Sequence, residues 1–174
     1  DLLCFDICHY GVSFDAPEAS IQELKAKNIP VGKIQISSAL RVDLRSDAQA
    51  RIEALKQYEE PTYLHQVKAL KKDGSFEQFN DLGEALAQYQ DGVYDEWRVH
   101  FHVPLFLDSY GLLNSTQAEI AETLAYHQSH HVTRMLEIET YTWGVLPAAY
   151  QENLETSVAR EITFIQELLC KKPL

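Results

Sequence analysis

The sequence predicts an α/β protein built on parallel strands, and three observations carry that reading. Leu2-Leu-Cys-Phe-Asp-Ile-Cys8 is a nearly continuous apolar run with one acid, the pattern of a strand buried on both faces. A helical stretch and a second short apolar strand follow it closely, which makes a βαβ unit. Beyond it the pattern continues as insertion, strand, helix, strand and helix.

His9–Asp15 reads as a loop, and Ala16–Lys27 as a helix capped at Asp15 or Ala16, with Pro17 in the first turn and Glu18 near the positive end. Asn28-Ile-Pro30 stops it. Val31–Ser37 is the second strand and pairs in parallel with the first. A polar loop follows Ser37-Ser38, then a helical stretch at 47–58 with Ile52 and Leu55 in phase. Thr62–Leu70 reads as a strand, Lys72-Asp-Gly-Ser75 as a turn and Phe76–Phe79 as the returning arm. Asp81 caps a short helix, with Glu84 three residues on.

Trp97–Phe106 is the stretch that bears on chemistry. Its alternation reads as a strand, so His100 and His102 share a face and Val99, Phe101 and Val103 share the other. Pro104 ends it. Two imidazoles at a strand exit are half of a divalent-metal site, or two hydrogen-bonded side chains on a half-exposed face. Ser115–His127 is a helix capped by Ser115. His127, His130 and His131 at its end suit the negative pole of the dipole. Arg134–Trp143 is the last strand. Residues 153–169 form the last helix, with Val158, Ile162, Ile165 and Leu169 on one side.

Composition narrows the partners. The 174 residues suffice for one domain with a sizeable core, at 45% hydrophobic and 24% charged. Fifteen Lys+Arg against 26 Asp+Glu leave −11, which disfavours nucleic acid and anionic membrane surfaces. No apolar run approaches the ~18 residues of a membrane helix. Asp1-Leu-Leu-Cys4 shows no signal-peptide pattern and suggests a start inside a domain. Three cysteines, Cys4, Cys8 and Cys170, read as reduced, small hydrophobic side chains in a cytoplasmic setting.

Parallel α/β proteins place their chemistry at the carboxyl ends of strands. Here those ends offer Asp6 and His9, Gln35 with Ser37 and Ser38, His100 and His102, and Glu137 with Glu139. Such groups are costly if left unpaired. A divalent cation would satisfy them together; a buried ion-pair network, Asp6 to His9 and Glu139 to a histidine or Arg134, is the alternative.

The motifs Asp6-Ile-Cys-His9, the polar exit at Gln35, His100-x-His102 and the closing Glu139-Thr-Tyr141 resemble the metal-binding set of the xylose-isomerase-like TIM-barrel superfamily. That superfamily includes sugar isomerases, sugar-phosphate epimerases and endonuclease IV. More narrowly, the chain resembles the carboxyl-terminal half of the metabolite-traffic protein EboE family. The stretches concerned are His9, Val31-Gly-Lys-Ile-Gln-Ile-Ser-Ser-Ala-Leu-Arg41, Tyr63-Leu-His-Gln66, His100-Phe-His-Val-Pro-Leu-Phe106 and Glu139-Thr-Tyr-Thr-Trp-Gly-Val-Leu-Pro147.

The resemblance implies that residues 1–174 are a single partial domain, the carboxyl-terminal part of a (β/α)₈ barrel with a helix and hairpin insertion at 45–92. A whole barrel needs ~250 residues, so the rest of the barrel or a second copy of the chain would have to complete it. It implies Asp6, His9, His102 and Glu139 as ligands of a divalent metal (Zn, Mn or Fe), with Glu139 and His100 as catalytic residues. His100 stands where endonuclease IV has an Asp, and Gln35 where most members have a His. Gln35, Ser37, His65, Tyr141 and Trp143 would meet the substrate; His65 alternatively stabilises the hairpin. The implied activity is a metal-dependent isomerase or epimerase acting on a sugar, cyclitol or related polyhydroxylated metabolite in a processing or export pathway. A phosphorylated substrate would require Arg41 or Lys33 in the pocket. A non-catalytic metabolite-binding or traffic role and, against the charge balance, an endonuclease IV-like phosphodiesterase are the alternatives.

Overall fold

The computed structural model describes residues 2–170; Asp1 of the opening stretch and residues 171–174 lie outside the described residues. Along the chain run β1 (Leu3–Asp6), α1 (Ile7–Val12), α2 (Pro17–Ala26), β2 (Val31–Ile36), β3 (Leu40–Asp43), α3 (Ala48–Leu55), β4 (Val67–Lys71), β5 (Phe76–Phe79), α4 (Leu82–Ala87), β6 (Tyr94–Val99), β7 (Ser109–Tyr110), β8 (Leu113–Ser115), α5 (Gln117–His130), β9 (Leu136–Ile138) and α6 (Leu154–Cys170).

β1, β2 and β9 form a parallel sheet in that order, with Asp6 opposite Gln35 and Gln35 opposite Glu137. Strand alternation gives this sheet two unlike faces. Phe5, Ile34 and Ile36 are buried against Ile21 of α2, Ile120 and Leu124 of α5 and Ile165 of α6. Each such side chain contributes about 1.5–3 kcal/mol on burial. The other face carries Cys4, Asp6, Lys33, Gln35 and Glu137, none of them buried.

The remaining strands form a six-stranded antiparallel sheet in the order β5-β4-β6-β3-β8-β7. Its core includes Leu40, Val42, Val67, Ala69, Trp97, Val99, Phe101 and Val103. The β4–β5 turn follows the sequence reading: Gly74 takes φ +83°, and the Asp73 carboxylate accepts from the Ser75 backbone N–H at 2.9 Å. Arg98 joins this sheet to the helices. It donates to Glu96 at 2.7 Å, to Glu119 of α5 at 2.8 Å and to the Gly11 carbonyl of α1, and it lies 4.1 Å over the Phe14 ring.

The expected carboxyl-terminal part of a (β/α)₈ barrel is not what the chain forms. The parallel sheet ends at three strands, and the segment leading to the histidines belongs to the antiparallel sheet. Connection length is the physical reason. Parallel neighbours need a crossover of a dozen or more residues. Only residues 37–39 separate β2 from β3, and 72–75 separate β4 from β5. Residues 45–92, expected as an insertion, supply two strands of the main sheet. The barrel remainder or second copy expected to close a barrel therefore has no barrel to complete.

Smaller differences follow from local chemistry. Residues 7–12, read as strand end and loop, are helical because the Asp6 side chain caps them, accepting from the Cys8 N–H at 2.9 Å. Strand β6 stops at Val99, one residue before the first histidine. Ser115 ends β8, and Thr116 occupies the cap position of α5. In α6 the inward stripe is Ser157, Glu161 and Ile165, whereas Leu154, Val158 and Ile162 face outward.

Candidate metal centre

Three chain segments meet beside the carboxyl end of the parallel sheet. The first is the β1–α1 junction with Asp6, Cys8 and His9. The second is the extended stretch after β6 with His100 and His102. The third is the stretch after β9 with Glu139 and Tyr141. Backbone hydrogen bonds sew them together. Glu139 N donates to Ile36 O at 3.0 Å, Val103 N to Ser38 O at 3.0 Å and His100 N to Gln66 O at 2.8 Å. The Thr142 hydroxyl donates to the His102 carbonyl. The site is thus fixed from both sheets at once.

Asp6 is held by one oxygen and open at the other. Its Oδ1 accepts from Cys8 N and from the Ser37 hydroxyl, and its Oδ2 lies 3.4 Å from His9 Nε2. The expected same-face placement of His100 and His102 is realised, with their Nε2 atoms 3.1 Å apart. His102 Nδ1 sits 2.9 Å from the Glu139 carbonyl. A carbonyl only accepts, so Nδ1 carries the proton and Nε2 presents a lone pair. His65, fully behind the site, faces the His100 carbonyl with Nδ1 at 3.1 Å and Glu60 Oε1 with Nε2 at 2.8 Å. It braces the His100 segment instead of lining the opening.

Electrostatics favour a cation here. Burial, then the neighbouring His102 and His9, holds His100 down at about 4, and burial also lowers His102. Both rings are therefore neutral at neutral pH, the form that ligates metal. Burial, then the nearby Asp6 and Glu137 carboxylates, raises Glu139. Its buried Oε2 has no hydrogen-bond partner among the described residues. A group of that kind calls for an explanation, and a cation supplies one.

The donor set fits such an ion. The groups Asp6–His9–His100, Asp6–His102–Glu139 and Cys8–His100–His102 each bring their ligand atoms within 4.8 Å of one another. Two nitrogens about 2.0 Å from a tetrahedral zinc would be about 3.3 Å apart, close to the 3.1 Å between the imidazole Nε2 atoms. These residues are positioned to hold a metal ion.

Among the residues expected from sequence, Asp6, His9, His100, His102 and Glu139 are brought together. Tyr141 joins them, its ring 4.5 Å from that of His102 and 5.0 Å from that of Tyr63. Ser37 is buried and positions Asp6. Gln35 lies on the open face of the parallel sheet and accepts from the Cys4 thiol at 2.9 Å. Trp143 packs against the core of the antiparallel sheet. The sequence reading missed Cys8 as a donor, because a lone thiol in an apolar run reads as packing. It also missed Glu60, which lies five residues before the His65 ring it orients, in a stretch that reads only as a helix breaker.

In comparisons with known proteins, no family model, no curated protein and no solved structure matches this chain. The resemblance to the EboE family therefore rests on the motifs alone. Among the described residues no helix is long and apolar enough to cross a membrane.

Proposed function

We propose that the chain is a metal-dependent isomerase or epimerase acting on a sugar, cyclitol or related polyhydroxylated metabolite, with Zn²⁺, Mn²⁺ or Fe²⁺ as the ion. The observation that carries this is the convergence of Asp6, His102 and Glu139 from separate segments, with a buried Glu139 oxygen lacking a partner. Asp6, His102 and Glu139 would hold the ion, with His9 at the exposed rim. When bound, the ion polarises a substrate carbonyl or hydroxyl.

The chain supplies the rest. The Glu139 carbonyl keeps the His102 lone pair aimed at the centre. With the ion on Asp6, His102 and Glu139, His100, packed between His9 and His102, would be the group that moves a proton at the substrate. Tyr141 and Tyr63 are exposed and pack edge to face beside His102, and would offer aromatic surface to the C–H face of a sugar. Gln35 offers an amide for hydroxyl groups. Lys33 is engaged by Glu137, and the net charge is −11, so a neutral polyol suits the site better than a phosphate. The same balance weighs against phosphodiester substrates.

The test is proton exchange. Metal-loaded protein is incubated in D₂O with a panel of aldoses, ketoses and inosose-type cyclitols and followed by NMR. The expected result is deuterium at the carbon next to the carbonyl, reduced about 10²–10⁴-fold in His100→Gln. Metal-dependent binding of a polyol without exchange would replace the enzyme with a binding or traffic protein. Absence of both binding and exchange overturns the proposal.

A further inference from the structure

The donor cluster contains two chemically different seats. One set, Cys8, His100 and His102, combines a thiol with two imidazoles, and Cys8 and His102 are buried. The other sets, Asp6–His102–Glu139 and Asp6–His9–His100, combine carboxylates with imidazoles and include the exposed His9. Thiolate selects soft ions such as Zn²⁺, and carboxylate suits Mn²⁺ and Mg²⁺. The seats draw on the same lone pairs. His102 Nδ1 is committed to the Glu139 carbonyl, so its Nε2 must serve either seat. His100, whose Nε2 is 3.1 Å from it, likewise belongs to both the thiol set and one carboxylate set.

We infer that Cys8 is a metal ligand, and that the cluster offers a soft cation an inner N₂S seat and a hard cation an outer carboxylate–imidazole seat that cannot be filled together. This rests on the metal reading above and sharpens it: which ion is bound decides whether Asp6 and Glu139 remain coordinated. Its atomic basis is in the fold. Asp6 Oδ1 and the Ser37 hydroxyl both accept from Cys8 N, at 2.9 Å each, which locks the first turn of α1 with Cys8 beside the imidazoles. Filling the inner seat releases one proton, from the Cys8 thiol to solvent.

Co²⁺ serves as the probe for the soft seat and Mn²⁺ for the hard one, each added to metal-stripped full-length chain. The expected result is a near-ultraviolet sulfur-to-cobalt charge-transfer band that survives in Cys4→Ser and disappears in Cys8→Ser. Zn²⁺ should displace Mn²⁺ competitively. Cys8→Ser should weaken Zn²⁺ at least about 100-fold while changing Mn²⁺ less than about threefold. Should Cys8→Ser fail to fold, zinc X-ray absorption on the unaltered chain decides, with one sulfur neighbour at about 2.3 Å expected. Cobalt bound without the band, a band that persists without Cys8, or zinc with no sulfur neighbour overturns the inference and leaves the metal reading intact. No binding of Co²⁺ or Mn²⁺ overturns the metal reading itself.

Discussion

Strand β6 of the antiparallel sheet is covered on both faces, whereas β2 of the parallel sheet is covered on only one. On β6, Trp97 and Val99 point into the larger core, and Arg98 on the opposite face is enclosed by Glu96, Glu119, the Gly11 carbonyl and the Phe14 ring. On β2, Ile34 and Ile36 meet the helices, while Lys33 and Gln35 lie on an open polar face with Cys4, Asp6 and Glu137. The contrast separates two jobs. The antiparallel sheet concentrates apolar burial and supplies the platform. The parallel sheet keeps a wet face whose carboxyl end supplies Asp6, and the segment leaving β6 lays His100 and His102 across it. Metal donors thus sit at the seam, where each is rigidly held yet some remain open to solvent.

That division can be tested by substitution on either side. Trp97→Ala removes a fully buried ring from the platform and should cost about 4 kcal/mol in chemical denaturation. A loss under about 1 kcal/mol would mean the platform is elsewhere. Arg98→Ala leaves Glu119 without its cation and Glu96 with Arg41 alone, and should cost about 3 kcal/mol, with cooperativity between the sheets reduced. Unchanged stability would show that the network is ornamental.

Glu161 gives a pH-dependent effect. It is fully buried on α6, its Oε1 accepts from Leu105 N at 3.1 Å and from the Thr140 hydroxyl at 2.7 Å, and its Oε2 has no partner. Burial raises its carboxyl above the ordinary glutamate range, against the lowering effect of those two hydrogen bonds. The folded state therefore binds the proton more tightly than the unfolded chain. Its contribution is fully present below the ordinary glutamate range and is lost as pH rises through the raised value. Glu161→Gln keeps an acceptor oxygen and removes the titration. Relative to the unaltered chain, the variant should gain stability as pH rises through and above the ordinary glutamate range. A pH-independent difference would contradict the raised carboxyl. The smallest effect is expected on the open face: Lys33→Ala breaks an ion pair exposed at both ends and should leave the denaturation midpoint unchanged.

Much of this organisation was legible in the sequence, and the gaps have physical causes. α2, the β4–β5 hairpin and the Asp81-capped α4 follow from capping residues, Pro17 and Gly74, which act over a few positions. The parallel pairing of β1 with β2 follows from the intervening helix. Partner choice beyond that was not legible, because a buried alternating strand such as β6 reads alike in parallel and antiparallel sheets. β3, β7 and β8 are two to four residues long, too short to show a period. The barrel expectation failed for these reasons. The site was more legible than the fold, since Asp6, His9, His100, His102 and Glu139 converge as expected, while Cys8 needed the turn of α1 to bring it to the imidazoles.

The central claim is that groups delivered by two different sheets hold one cation in common. Its most direct measurement is the metal content of chain stripped and reloaded with Mn²⁺, after gel filtration, by plasma mass spectrometry, for the unaltered protein and for His102→Ala and Asp6→Asn. The account predicts about one retained divalent ion per chain in the first and almost none in either variant, with all three equally folded by circular dichroism. Retention that is absent in the unaltered chain, or undiminished in both variants, would contradict it.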